Sequence, residues 1–311
     1  MNQNANSRAH SYWKRIAKNK WTYVFILPGM LYLLLFSYFP MYGLTLAFKD
    51  FQIGAGIFGS PWSNPWYKNF VMLSVDKMFW NAFRNTFRMG FWYVLTGFFS
   101  PILLALMINE MHTRWYKKLL QTVYTFPNFL SWVIVGGLMI NLLSSEGLVN
   151  IAIRSLGGNT YDFLANKQLI RPILYITEVW KSSGWSAIIY LAAISGINPE
   201  LYEAASIDGA SRFQKIYHIT WPGIKTTAVI LLIMSIGNIL NNGFDQILNM
   251  VNSVVRDSAE TIDTYIYRRS FQGVPNYGFS TAMGLMKSVI NFAFLLLANK
   301  GAKLLGEEGV L

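Results

Sequence analysis

From Trp21 to Phe48, between Lys20 and Lys49, the chain carries no Asp, Glu, Lys or Arg. A helix needs about 20 mainly apolar residues to cross a bilayer, so this stretch is long enough to span one. Met89 to Asn109 and Leu119 to Ser145 are charge-free in the same way. A fourth run, Pro172 to Ser195, holds Glu178 and Lys181 near its start. A fifth begins after Lys225 and reaches Asp245, and a sixth runs from Gly278 to Leu305 around Lys287. The pattern predicts an all-α integral membrane protein with about six transmembrane helices. Buried helices of a soluble protein are the competing explanation. Only 13% of the residues are charged, about half the share of a soluble domain, which leaves too little polar surface to face water.

Several chemistries are excluded at once. There is no cysteine, which removes disulfide frameworks, iron–sulfur clusters and cysteine-based zinc sites. His10, His112 and His218 are scattered without HExxH spacing, so no metal site is expected. No catalytic residues are expected either: the spans show no paired acids and no Ser/His constellation, which weighs against an intramembrane enzyme. The formal charge is +11. No basic soluble region of useful length exists to bind nucleic acid, so the excess reads as Lys and Arg beside a membrane.

Lys/Arg bias sets orientation. Arg8, Lys14, Arg15, Lys18 and Lys20 crowd the segment before the first span. Residues 1–20 therefore read as a cytoplasmic tail and 21–311 as the transmembrane domain, with both termini in the cytoplasm. The first outer segment, Lys49 to Phe83, is rich in Gly, Pro and Trp, including Trp62 and Trp66. Such aromatics anchor at headgroup level or form a surface for an external partner. Charges within spans usually face a bundle interior or a hydrated cavity. Asp245 follows Asn238, Asn241 and Asn242 in an otherwise apolar helix, which reads either as a hydrated lining or as the end of that helix.

The loop over residues 197–225 is the most informative stretch. Pro199 suits a first helical position with Asn198 as its cap, and Glu200 and Glu203 fall in the first turn, where the helix dipole favours negative charge. Asp208-Gly209 reads as a break. A second helix can follow from Ala210, with Phe213, Ile216, Tyr217 and Ile219 on one face and Pro222 ending it. Such a hairpin lies on lipid or docks a cytoplasmic protein.

Glu203-Ala204-Ala205, then Gly209, Ile219 and Pro222 at their spacings, resemble the signature of permease subunits in binding-protein-dependent ABC importers. Trp221 stands where that signature usually has Leu. The resemblance covers nearly the whole chain and is nearest to the sugar branch, in particular the LplB-type polysaccharide permeases. Phe39-Pro40-Met41-Tyr42-Gly43, Phe126-Pro127-Asn128-Phe129-Leu130-Ser131-Trp132 and Gly284-Leu285-Met286-Lys287-Ser288 are similar to that branch.

The resemblance implies the type I importer permease fold in a bacterial cytoplasmic membrane. It also implies a second permease subunit, commonly a different one, two copies of a cytoplasmic ATPase and an extracellular or periplasmic solute-binding protein. ATP and Mg would be bound by the ATPase, since this chain lacks the GxxxxGK[ST] phosphate loop. Glu203, Ala204, Ala205, Asp208, Gly209, Ala210, Phe213, Ile219 and Pro222 would form the coupling element that meets the ATPase. The expected cargo is a neutral, bulky sugar. Trp180, Trp185, Tyr190, Asn238, Asn241 and Asp245 are candidate pathway residues, because sugars bind to aromatic faces and neutral hydrogen-bonding groups. A non-sugar cargo is the alternative within the same architecture.

Overall fold

The computed structural model describes residues 18–241, 243–272 and 274–304, with 306 and 309. Arg8, Lys14, Arg15 and Asn242 lie outside the described residues. The described chain is helical, with one isolated antiparallel bridge between Lys49 and Trp62 and no strand. It falls into two compact units. One comprises residues up to Val71 together with Asn276–Ala282; the other comprises Met72–Pro275 together with the residues from Met283 onward.

In the first unit, α1 runs from Lys20 to Phe48. It is α-helical to Leu33, widens to a π turn over Leu34–Tyr38 and tightens to 3-10 geometry over Phe39–Phe48. Pro40 lies at the change, where a missing N–H and the ring disrupt regular bonding. Trp21, Phe25, Phe36 and Phe39 are exposed, an apolar surface that requires lipid or another subunit as cover. The segment after α1 is pinned by charge. Lys49 is buried, and its Nζ donates to the Ile57 and Phe58 carbonyls at 2.7 and 3.3 Å. Asp50 accepts from Lys68 and Ser63 at 2.9 and 3.0 Å.

The second unit contains the elements that make the site. The short helix α2, Lys68–Val75, crosses from the first unit into the second, and α3 is the long helix Lys77–Asn109. After it come α4 (Arg114–Thr125), α5 (Trp132–Leu143), α6 (Leu148–Ser155) and α7 (Ile170–Ser195). Next are α8 (Pro199–Ile207), α9 (Arg212–Gly237), α10 (Phe244–Met250), α11 (Ile262–Phe271) and, from Met283 onward, the rest of α12 (Tyr277–Leu304).

Among the described residues five helical stretches are long and apolar enough to cross a membrane: Lys20–Phe48, Lys77–Asn109, Trp132–Ser155, Arg212–Gly237 and Tyr277–Leu304. The expected fourth span is α7, 26 residues long. It stands outside this set because Arg171, Glu178 and Lys181 dilute its apolar character. Other boundaries also move. The expected span Leu119–Ser145 is broken, since Pro127 interrupts the bonding and Phe126–Phe129 forms a 3-10 turn. Ser131 then caps α5, accepting from the Ile134 amide at 3.3 Å. The second stretch starts earlier than expected, at Lys77, because the Asp76 carboxylate caps it through the Met78 and Phe79 amides at 2.8 and 3.1 Å.

Two apolar clusters hold this unit. Met89, Leu174, Ile247 and Met250 belong to one; Ile102, Ala187, Tyr190, Ile224 and Ala228 belong to the other. Lipid is as apolar as these side chains, so close backbone approach and polar staples must add to association. A Cβ on Gly184 of α7 would sit 1.9 Å from the Tyr124 carbonyl oxygen, so glycine is what lets α4 and α7 touch. Asn85 donates to the Asp257 and Glu260 carbonyls at 2.9 and 3.2 Å. Arg171 reaches Asn85 Oδ1 at 2.9 Å and the Ser258 carbonyl at 2.7 Å. Lys287, buried in α12, pairs with Asp263 of α11, which answers why a lysine is tolerated inside that helix.

Candidate functional site

The first candidate is the hairpin of α8 and the start of α9. Asn198 caps α8 by accepting from the Glu200 amide at 3.1 Å. The helix closes in a Schellman arrangement: the Ala210 amide donates to the Ala205 carbonyl at 2.9 Å and the Gly209 amide to Ser206 at 3.2 Å. Gly209 has φ +75°, the left-handed conformation that this motif needs and that glycine adopts without strain. The glycine of the signature is therefore a helix stop. Ser211 and Gln214 form a capping box that starts α9.

Lys215 Nζ donates to Ser206 Oγ at 2.7 Å, and Tyr202 and Thr220 hydroxyls meet at 3.0 Å. The two arms are thus cross-linked while their outer surface stays open. Glu203, Ala204, Asp208 and Gly209 are exposed; Ala205 and Ala210 are half-buried. The expected single apolar face is divided. Phe213 and Tyr217, four residues apart, project outward at 84% and 70% exposure, with Ile207 at 88%. Ile216 and Ile219 turn inward and are half-buried. Nor does Pro222 end the helix. A π turn over Ile216–Thr220 lets α9 continue through it, since the wider turn accommodates a residue without an N–H.

The second candidate is an open cleft of about 630 Å³ among α3, α5, α7, α9 and α10. It is lined by Tyr93 and Thr96 of α3, Trp132 of α5, Glu178, Ser182 and Ser186 of α7, Ser235 of α9, and Asn238, Asn241, Phe244 and Asp245. The α9 helix stops at Gly237, and Gly243, at φ +75°, turns the chain into α10. The expected continuous fifth span to Asp245 is thus broken, which is how its polar groups come to line a cleft. Asn241 donates to Asn238 Oδ1 at 3.1 Å. Tyr93 donates to Gln246 at 2.7 Å, and Gln246 donates to the Leu174 carbonyl at 2.7 Å, so this wall is fixed from behind.

Of the six pathway candidates, Asn238, Asn241 and Asp245 come together in the cleft. Tyr190 is buried in the cluster with Ile102 and Ile224. Trp180 and Trp185 are exposed away from the cleft, Trp185 edge-on to Phe129. The aromatics on the cleft are instead Trp132, Tyr93 and Phe244. Lys181 lies over the Trp132 ring, with its Nζ 5.5 Å from the ring centroid and 2.9 Å from the Asn128 carbonyl. The stripe Glu178, Ser182, Ser186 was legible, since a spacing of four places all three on one helix face.

An open cleft with a polar lining among long apolar helices and an exposed, doubly capped hairpin are features that suit a transport subunit. Residues 101–300 match the family of binding-protein-dependent transport system inner membrane components, and the chain belongs to that family: it is a multi-pass permease subunit of an ABC importer. It is 41% identical over 298 residues to the polygalacturonan/rhamnogalacturonan transport system permease protein YteP of Bacillus subtilis, covering 95% of this chain and 92% of that protein. Protein LplB of the same organism is 38% identical, covering 96% and 94%. Among solved structures, a chain of the bacterial alginate ABC transporter in complex with alginate pentasaccharide-bound periplasmic protein superposes with a TM-score of 0.87. It is 38% identical, with 96% of this chain and 99% of that one covered.

Proposed function

We propose that this chain forms half of the pathway by which an ATP-driven importer takes up oligosaccharides or polysaccharide fragments. The observation that carries the cargo is the cleft lining, which combines amides and hydroxyls of Asn238, Asn241, Ser182, Ser186 and Thr96 with the rings of Trp132 and Phe244. Pyranose rings present an apolar face and a rim of hydroxyls, and this mixture suits both. The names of the similar proteins, which concern polygalacturonan, rhamnogalacturonan and alginate, support the same cargo class.

The hairpin is the coupling element. Exposed Glu203, Ala204, Asp208 and Gly209 with outward Phe213 form a knob for a groove on a cytoplasmic ATPase, which binds ATP and Mg. Ala205, Ala210, Ile219 and Pro222 give the knob its shape. A second permease, most simply a different chain, completes the pathway, and an external solute-binding protein delivers cargo. This arrangement places both termini and the 197–225 loop in the cytoplasm. ATP-driven closure then biases the bundle between inward-facing and outward-facing packings.

The test is affinity purification of this chain in mild detergent, followed by reconstitution of what co-purifies. Recovery of an ATPase, a second permease and a solute-binding protein, with glycan-stimulated ATP hydrolysis, is the expected result. Recovery of the chain alone after crosslinking at the Glu203 loop would overturn the reading.

A further inference from the structure

Helices α4 and α7 form another open groove, of about 420 Å³, that shares no lining residue with the cleft. Its wall is a strip of Lys118, Gln121 and Thr122 on α4, then Phe126 and Phe129 in the turn that follows, with Ile188 from α7. Spacings of three and four put the α4 residues on one helix face. The strip changes character along its length. Lys118, Gln121 and Thr122 are polar; Phe126, Phe129 and Ile188 are apolar, and both phenylalanines are exposed. Lys118 and Phe126 are about 12 Å apart along the helix, so charge sits at one end and hydrocarbon at the other.

Two independent features place the polar end at a membrane surface. Arg114, Lys117 and Lys118 are three bases within five residues, against Glu110 as the one acid in residues 110–118. Arg114 lies one turn before Lys118 on the same face. Arg212 adds to them from α9, with its Nη2 3.2 Å from His112 Nε2. Trp115 and Tyr116 stand exposed among these bases, and such rings settle at headgroup level.

An apolar groove of this kind needs a cover, and its basic mouth selects among covers. An apolar helix of another subunit would satisfy the phenylalanines and offer the bases nothing. A phospholipid with an anionic headgroup satisfies both: its phosphate meets Lys118, and an acyl chain follows Phe126, Phe129 and Ile188. Basic pockets between membrane helices take such headgroups.

We propose that this groove binds one anionic phospholipid of the leaflet next to the start of α4, with Lys118 as the phosphate contact and Arg114 in support. In the orientation proposed above, that leaflet is the cytoplasmic one. The groove ends on the Phe126–Phe129 turn, whose Asn128 carbonyl accepts from Lys181. The lipid therefore packs behind the segment that leads to Trp132 on the cleft.

The experiment is native mass spectrometry of the assembled permease–ATPase complex, titrated with phosphatidylglycerol and with phosphatidylcholine of the same acyl chains. Each copy of this chain is expected to hold a phosphatidylglycerol about fivefold or more tighter than phosphatidylcholine, the scale of one basic residue at a membrane surface. Arg114→Gln combined with Lys118→Gln is expected to remove one such tight site per copy and leave phosphatidylcholine binding within about twofold. Ile188→Trp fills the apolar end and is expected to weaken both lipids. The chain has no cysteine, so a photo-crosslinker on Gln121→Cys is unique within it and is expected to capture lipid. Equal binding of the two lipids, or an unchanged number of tight sites in the double variant, would overturn the proposal. So would displacement of the lipid by millimolar inorganic phosphate, which would mark a site for free anions, or capture of the second permease in place of lipid. Lipid selectivity without glycan uptake in proteoliposomes would support this site and count against the glycan reading alone.

Discussion

The Ala210 amide donates to the Ala205 carbonyl at 2.9 Å, across Gly209 at φ +75°. This bond turns the chain back from α8 into α9 and leaves the turn on the surface. A Cβ at Gly209 meets nothing within 4 Å, so a substitution there strains the backbone without colliding with the chain itself. Gly209→Ala is expected to cost about 1–2 kcal/mol from the left-handed conformation and to retain assembly. Gly209→Asp adds charge and bulk to the proposed docking surface. It is expected to cut glycan-stimulated ATP hydrolysis several-fold at unchanged permease levels, measured in proteoliposomes.

Lys181 caps the broken segment before α5 through the Asn128 carbonyl, 2.9 Å from its Nζ. Lys181→Met leaves that carbonyl unpaired, at a cost of about 1–3 kcal/mol, and frees the Trp132 ring. A lower melting temperature and a shifted tryptophan emission are expected, with Lys181→Arg partly restoring both. A spectrum identical to wild type would show that Trp132 is held by other contacts.

Gly184 admits no side chain without movement, because the obstacle is the backbone of Tyr124 and Thr125 rather than a flexible tip. Gly184→Val is expected to push α4 from α7 and destabilise the protein by about 1–3 kcal/mol. Size-exclusion thermostability in detergent reads this directly. Gly137, where a Cβ meets nothing within 4 Å, is the matched control and should tolerate Ala.

Asp76 caps α3 and binds the Tyr265 hydroxyl at 2.7 Å and Arg269 at 3.2 Å. Burial opposes its ionisation, but the bonds from Tyr265 and the Phe79 and Met78 amides, with the Arg269 charge, outweigh burial and hold the carboxyl below 3.8. A depressed carboxyl stabilises the fold above its unfolded value and loses that contribution as pH falls through the folded value. Asp76→Asn keeps the cap and removes the charge. The melting-temperature gap between wild type and variant should be flat above about pH 5 and close toward pH 3.

Asn238 and Asn241 bond to each other at the cleft edge. The double alanine variant is expected to raise the apparent KM for glycan uptake several-fold with assembly intact. Unchanged kinetics would remove these amides from the pathway.

Much of this was legible in the amino-acid sequence, and for a physical reason. Lipid cannot hydrogen-bond a backbone, so spans must be long, apolar and helical, and such runs are visible without coordinates. Caps and stops are equally local: Asn198, Pro199 and Gly209 state where α8 begins and ends, whatever surrounds them. Tertiary structure decided what each helix touches. The sequence shows Trp180, Trp185 and Tyr190 as aromatics on a span, but only packing buries Tyr190 beside Ile224, turns the two tryptophans away and brings Trp132 from another helix to the cleft. Packing also accommodates the breaks in two apolar runs, at Pro127 and after Gly237, where Lys181 donates to the Asn128 carbonyl and Asn291 accepts from the Leu240 amide at 3.2 Å. An apolar run records its preference for lipid, whereas a site depends on groups far apart in the chain, and their distances are set only when the helices pack.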